Sequence, residues 1–325
     1  MIGTQPGVAP LNLPLHKEAR MIDKEIANLP NFYILGAAKA GTTTVFDLLK
    51  QHPQVYLPFN KEPMFFSHED NYQRGIDWYE RTYFHQAAHF PARGEATPHY
   101  LYWSEKTAPR IHELYSPEQV KLKFIVMLRD PVSRAYSWYW NMVKEGRETL
   151  PFREALEQEI RRLEENRELF EYSGAMTYGY MRGSRYAAAL APYLSLFPRQ
   201  DFLFILQEDL ETGFNGTINR LLEFLALDPN VSIHPATSNR ATAPRSKRFQ
   251  TWLRRQSRLR GKLLSFFPMR LRYTVKTSLL RSNARVAQYP SLDPELEKDL
   301  RKRFVPEVET LAKIIERDLS NWLPK

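Results

Sequence analysis

Gly36-Ala37-Ala38-Lys39-Ala40-Gly41-Thr42-Thr43-Thr44 gathers two glycines, one lysine and three hydroxyls directly behind an apolar run, Phe32-Tyr33-Ile34-Leu35. A strand that ends in small residues and runs into a helix leaves unpaired backbone N–H groups at the helix start, where the helix dipole also favours negative charge. Small side chains let this backbone close on a phosphate-like anion, with Lys39, Ala40, Gly41, Thr42, Thr43 and Thr44 as candidate ligands. Threonines are poor in a helix interior, but in the first turn their hydroxyls cap the helix or bond a ligand. The ATP-binding loop G-x-x-x-x-G-K-[ST] would need a lysine at position 42. This chain has Thr42 there and carries its lysine inside the loop, at Lys39. Such a lysine meets the ligand from the loop crest, which argues against an ordinary ATPase or kinase.

A second anion anchor follows another apolar run. Arg129 stands at the end of Leu122–Leu128, the strand end at which parallel sheets bind their ligands. Asp130 is a good helix N-cap and Pro131 a good first helical residue. Ser137 then lies about two turns into that helix, so its hydroxyl can join Arg129 on one phosphate.

The elements that must position these residues are legible in outline. Phe32–Gly36, Leu122–Leu128 and Phe202–Leu206 have the apolar content of buried strands. Helices are expected from Val45, over Val132–Lys144, over the charged stretch Phe152–Phe170, over Phe214–Leu225, and over Val305–Leu319. Strands alternating with helices predict an α/β fold: a three-layer αβα arrangement with a central parallel sheet and a P-loop-like phosphate-binding loop. Residues 1–29 are expected to form an N-terminal arm and residues 30–325 one domain.

These segments resemble the sulfotransferases that use 3′-phosphoadenosine 5′-phosphosulfate (PAPS), in their heparan-sulfate-type and bacterial branches. Gly36 to Thr43 is similar to the family's 5′-phosphosulfate loop. Arg129-Asp130-Pro131-Val132-Ser133-Arg134-Ala135-Tyr136-Ser137-Trp138-Tyr139 is similar to its 3′-phosphate motif, R-D-P-x-x-R-x-x-S-x-[YF]. Lys61-Glu62-Pro63-Met64-Phe65-Phe66, Gly75-Ile76-Asp77-Trp78-Tyr79, Gly94-Glu95-Ala96-Thr97-Pro98, Glu208-Asp209-Leu210 and Arg317–Leu323 follow the family in the same order. The resemblance implies a sulfuryl transfer from PAPS to an acceptor hydroxyl, less readily an amine, with no metal. Lys39 would stabilise charge on the leaving phosphate.

An acceptor hydroxyl needs a general base, and Glu62 is the leading candidate. Pro63 biases it toward extended backbone at a loop edge, and heparan-type relatives place their base at this acid. Lys61 would orient the sulfuryl group or depress the Glu62 carboxyl; the alternative is a surface Lys–Glu pair. His99 is a second candidate base, or a packed histidine beside Tyr100 and Tyr102. Heparan-type members carry lysine where this chain has Ala96, which weighs against heparan sulfate as the acceptor. His85 and His89 are four apart, but Gln86 breaks the metalloprotease pattern and no third ligand is evident.

Composition narrows the classes further. The chain has 325 residues and no cysteine, so no disulfide, thiolate nucleophile or thiolate metal site is possible. No apolar run is long enough to span a bilayer, and the N-terminus lacks a basic-then-apolar leader pattern. A cytoplasmic protein is the expectation. The net charge of +9 is unevenly spread: residues 229–292 hold fourteen Lys and Arg and no Asp or Glu. Within it, Ser246-Lys247-Arg248 resembles a stretch that closes over the cofactor in heparan-type members, so Lys247 and Arg248 are candidate phosphate ligands. From about 245 to 285, bulky apolar residues interleave with arginines. This suits an amphipathic helix packed on the domain, a peripheral contact with a membrane, or binding of an acidic glycan. A divergent P-loop nucleoside-phosphate kinase and a non-enzymatic basic nucleic-acid binder remain the alternatives. No recognised nucleic-acid module is present, so no nucleic-acid partner is expected.

Overall fold

Phe32–Gly36 is buried throughout and becomes β1 of a parallel sheet. The computed structural model describes residues 28–115, 121–165, 174–235, 242–246, 249, 271, 274–275, 278–279, 282–286 and 289–324. The other strands are β2 (Val55–Tyr56), β3 (Ala92–Ala96), β4 (Lys123–Leu128) and β5 (Phe202–Leu206). They pair all-parallel in the order β2-β3-β1-β4-β5. The chain moves to one side of β1 for β3 and to the other for β4 and β5. The loop after β1 therefore lies at the point where strand order reverses, the crevice in which such sheets bind ligands.

The flanking helices are α1 (Thr42–Leu49), α2 (Ser104–Leu114), α3 (Pro131–Glu145), α4 (Phe152–Glu157), α5 (Glu159–Glu165), α6 (Tyr186–Leu194), α7 (Phe214–Phe224) and α8 (Pro294–Ile315). The expected α/β class holds: a central five-stranded parallel sheet with helices packed against it. Three expectations are corrected in detail. The helix expected over Phe152–Phe170 is two helices, α4 and α5, with residues 166–173 outside the described set. The last helix begins at Pro294 rather than Val305, and its buried stripe, Leu296, Leu300, Phe304, Val308, Leu311 and Ile315, explains its length. Asp293 caps it by accepting from Leu296 N at 2.7 Å. His85 and His89 do not share a helical face, because the helix there ends at Phe84.

Motif segments far from the loop act as clasps. Arg317 donates to both carboxylate oxygens of Asp209, at 2.8 and 3.2 Å, and Trp322 Nε1 donates to Glu208 at 3.0 Å. These contacts tie the C-terminal segment to the end of β5. A separate antiparallel ribbon pairs β6 (Thr242–Pro244) with β7 (Ala284–Val286). Asn283 closes its base: its side chain accepts from Ser246 N and donates to Ser246 O, each at 3.0 Å. Most of the basic segment between these strands, including Lys247 and Arg248, lies outside the described residues, as does the expected arm up to residue 27.

Candidate active site

The loop is shaped by backbone that few residues adopt. Lys39 has φ +72°, and Gly41, with φ +101°, opens α1 in the left-handed region, a conformation that costs a side chain 1–2 kcal/mol per residue, roughly. Ala40 N donates to Ala37 O at 3.1 Å, which closes the turn, and Ala37 N donates to Met127 O at 2.7 Å, which moors it to β4. Thr42 faces inward and is buried, while Thr43 and Thr44 are half-buried in the first turn of α1. Position 42, where an ATP-binding loop has its lysine, thus points into the protein.

Lys39 is open to solvent yet walled in by protein, as in a cleft. Its ammonium is pushed down to about 8, first by desolvation and then by Lys144 and Arg129; Glu145 opposes the shift, and Lys61 adds a smaller push. Four cations therefore converge on one crest. This is the electrostatics of a site that takes anions.

Arg129 belongs to the same cluster: its Nη1 donates to the Lys39 carbonyl at 3.3 Å. The two motif residues that flank it are structural. Asp130 caps α3 by accepting from Ser133 N at 2.7 Å, and its other oxygen accepts from Arg301 of α8 at 2.8 Å. Arg134 is 1% exposed and donates to Ser184 Oγ at 2.8 Å and Tyr180 O at 2.6 Å. Ser137 is half-buried on α3, in helical phase with Lys144.

Across the crevice, Lys61 Nζ donates to Glu62 Oε1 at 2.9 Å. Burial alone would raise the Glu62 carboxyl, but Lys61, His99 and Lys39 outweigh it and hold the carboxyl below its ordinary value. Burial lowers His99, against the pull of Glu62. Lys39, Lys61, Glu62 and His99 thus form one electrostatic unit, although they come from three separate segments. Ala96, at the position of the family's lysine, is wholly buried in β3 beside Ile34.

Two participants escape the sequence reading. Lys144 is one, and the signal was available: it lies seven residues after Ser137 on the same helix. Glu95 is the other. It is fully buried at the end of β3, accepts from Thr97 Oγ1 at 3.3 Å, and its Oε1 has no hydrogen-bond partner among the described residues. Burial raises its carboxyl to about 7, against the hydroxyls of Tyr100, Tyr79 and Thr97.

Comparison with known proteins agrees with this geometry. Residues 29–322 match the model of the sulfotransferase domain. The chain is similar to heparan sulfate glucosamine 3-O-sulfotransferase 5 of Mus musculus, 27% identical over 308 residues, covering 94% of this chain and 78% of that protein. It is also similar to human bifunctional heparan sulfate N-deacetylase/N-sulfotransferase 3, 34% identical over 133 residues. That match covers 38% of this chain and only 14% of the much longer bifunctional protein. Among solved structures, a sulfotransferase from Alicyclobacillus acidocaldarius superposes with a TM-score of 0.65 at 29% identity, covering 90% of this chain and 98% of that one.

Proposed function

The chain belongs to the sulfotransferase family, and from that premise we propose that it transfers a sulfuryl group from PAPS to an acceptor hydroxyl, or less readily an amine. The acceptor class is a saccharide, glycolipid or biosynthetic intermediate. The observation that carries this reading is the bond from Arg129 to the Lys39 carbonyl. It makes one surface of two anion anchors, as a donor with a 5′-phosphosulfate and a separate 3′-phosphate requires.

The residues present fit that donor. Lys39, Ala40, Gly41, Thr42, Thr43 and Thr44 would hold the 5′ end, through backbone N–H groups at the start of α1 and the crest ammonium. Arg129 and Ser137 would hold the 3′-phosphate, and Lys247 and Arg248 are kept as further candidates for it. When bound, PAPS supplies an activated sulfuryl group on a phosphate leaving group. Lys39 stabilises the negative charge that grows on the leaving oxygen. Glu62, held ionised by Lys61, His99 and Lys39, takes the proton of the attacking hydroxyl. Lys61 fixes the direction of the Glu62 carboxylate, and His99 is the reserve base. The kinase alternative loses support from Thr42, which is buried where a phosphate-binding lysine would have to reach out.

The basic segment supports a peripheral contact with an anionic membrane. Leu271, Val275 and Leu279 are exposed at helical positions four residues apart, within a stretch that carries no acid. A relative named membrane-associated sulfotransferase kil1, from Dictyostelium discoideum, is 36% identical over 121 residues, covering 36% of this chain and 24% of that protein. Among the described residues, no helix is long and apolar enough to cross a membrane. Co-sedimentation should show binding to anionic vesicles and none to zwitterionic ones.

Calorimetry with adenosine 3′,5′-bisphosphate tests the donor. Binding should occur without magnesium and far more tightly than that of ATP. Equal affinities, or strict dependence on magnesium, would overturn the reading.

A further inference from the structure

A cavity of about 420 Å³ is lined by Ala38, which precedes the crest lysine, and by Pro98, which precedes His99. Arg182, Gly183 and Arg185 line it as well. Tyr102 and Trp103 also belong to its lining. The Arg182 guanidinium lies over both rings, 5.2 Å from Tyr102 and 5.5 Å from Trp103. A cavity of this size holds one or two small rings.

The turn that carries the arginines is held with unusual care. Arg134, fully buried, donates to Tyr180 O and to Ser184 Oγ, and Ser184 Oγ in turn donates to Pro131 O at 2.8 Å. Glu159, 4% exposed, accepts from Met181 N at 2.8 Å and Arg182 N at 2.9 Å. Glu307 of α8 accepts from Ala187 N just beyond the turn. Gly183 has no room for a side chain, because a Cβ there would lie 2.5 Å from Arg134 Nη1. Arg134, Glu159 and Glu307 are thus committed to one short turn and the residue just beyond it. Burying such groups is costly unless every charge is satisfied, so the turn is fixed before any ligand arrives.

What the turn offers outward is two guanidinium groups. Arg182 and Arg185 are exposed and line the cavity, and among the described residues neither forms an ion pair. Glu159 and Glu307 feel the charge of Arg185, but both accept from backbone N–H groups. Glu105 at the rim is the one acid in the lining, and Ser104 beside it is a hydroxyl partner. A preorganised arginine pair is suited to bidentate capture of a carboxylate, sulfate or phosphate, and the apolar part of the lining, Leu101, Met176, Ala188 and Ala189, is suited to the body of a ring.

We infer that this cavity is the acceptor subsite and that Arg182 and Arg185 select a ring-bearing acceptor that carries an anionic group away from its reacting hydroxyl. The inference rests on the sulfotransferase reading, because it takes the crest of the loop as the reacting point. It makes Arg182 and Arg185 specificity residues that contact the acceptor and leave the donor alone.

The test uses the whole chain loaded with adenosine 3′,5′-bisphosphate, so that Lys39 and Arg129 are already occupied. Two matched pairs of probes are titrated: methyl glucoside against methyl glucuronide, and 4-hydroxybenzyl alcohol against 4-hydroxybenzoate. The anionic member should bind at least about tenfold more tightly in the pair whose ring fits, a preference worth one charge-assisted contact. The preferred pair tells a sugar from an aromatic acceptor. Arg182→Gln/Arg185→Gln should erase the preference while the bisphosphate affinity and the melting temperature stay unchanged. Equal binding of neutral and anionic members, no binding of either pair, or a preference that survives in the double variant would overturn the inference. Failure of the unmodified protein to bind the bisphosphate would instead overturn the donor reading, so the two failures are distinguishable.

Discussion

The Arg129 guanidinium donates to the backbone carbonyl of Lys39 across 3.3 Å. The end of β4 and the crest of the loop after β1 therefore cannot move apart without breaking a charge-assisted bond. A ligand that bridges both anchors meets a surface whose spacing is already set.

Lys39 titrates near pH 8, and a bound dianion favours its charged form. Affinity for adenosine 3′,5′-bisphosphate should therefore be full below that pH and fall as pH rises through it, by up to about tenfold per pH unit. Lys39→Arg keeps its charge across this range and should bind with no such slope. Calorimetry from pH 7 to 9.5 on both proteins checks it, and parallel slopes would assign the titration to another group.

Glu62 is held below the ordinary carboxylate range, so its carboxyl is ionised at neutral pH and suited to the proposed role of base. Glu62→Gln should lower kcat by about 10²–10⁴-fold and leave bisphosphate binding intact. Full turnover in this variant would move the base to His99, whose depressed pKa keeps it neutral and able to accept a proton.

Glu95 gives a stability prediction with the opposite sign. Its carboxyl is raised to about 7 in the fold, so the folded state holds a proton that the unfolded chain releases nearer pH 4.5. Below that lower value both states are protonated and nothing is lost. As pH rises to 7 the fold loses stability, on the order of 3 kcal/mol in full. Glu95→Gln removes this dependence. Urea unfolding of the two proteins should agree near pH 4 and favour the variant at pH 8; a difference independent of pH would refute the assignment.

Gly94 pairs with Phe32 across β3 and β1, and a Cβ at Gly94 would sit 2.1 Å from the Phe32 ring. Gly94→Ala should cost about 1–3 kcal/mol or more through forced displacement of the ring. Adding Phe32→Leu should recover part of the loss, which denaturant midpoints would show. Two independent, additive losses would mean that the ring is not the obstacle.

β3 also shows where sequence reading stops. Ala92-Arg93-Gly94-Glu95-Ala96 has a glycine and two charges and lacks the apolar run of a buried strand. It is a strand because its neighbours absorb each irregularity. Phe32 fills the space above Gly94, Arg93 donates to Leu29 O and Phe90 O, and Glu95 lies among tyrosines. β1 and β5, by contrast, match their expected ranges because an apolar run in a central strand depends on little beyond burial. The site divides in the same way. Lys39 and Arg129 were legible because loop spacing and a strand end fix them locally. The grouping of Glu62 with His99 follows from the fold, and the resemblance alone suggested it. The Arg182–Arg185 turn had no sequence signature, since what makes it notable is the buried Arg134 and Glu159 that hold it.

The β6–β7 ribbon is clasped at its base. Ser246 and Asn283 are joined by two hydrogen bonds, and Arg245 N donates to Asn283 O at 2.6 Å. Asn283 acts as the rivet of this clasp: loss of its side chain removes two of the three bonds, and the clasp between positions far apart in sequence then rests on one backbone bond alone.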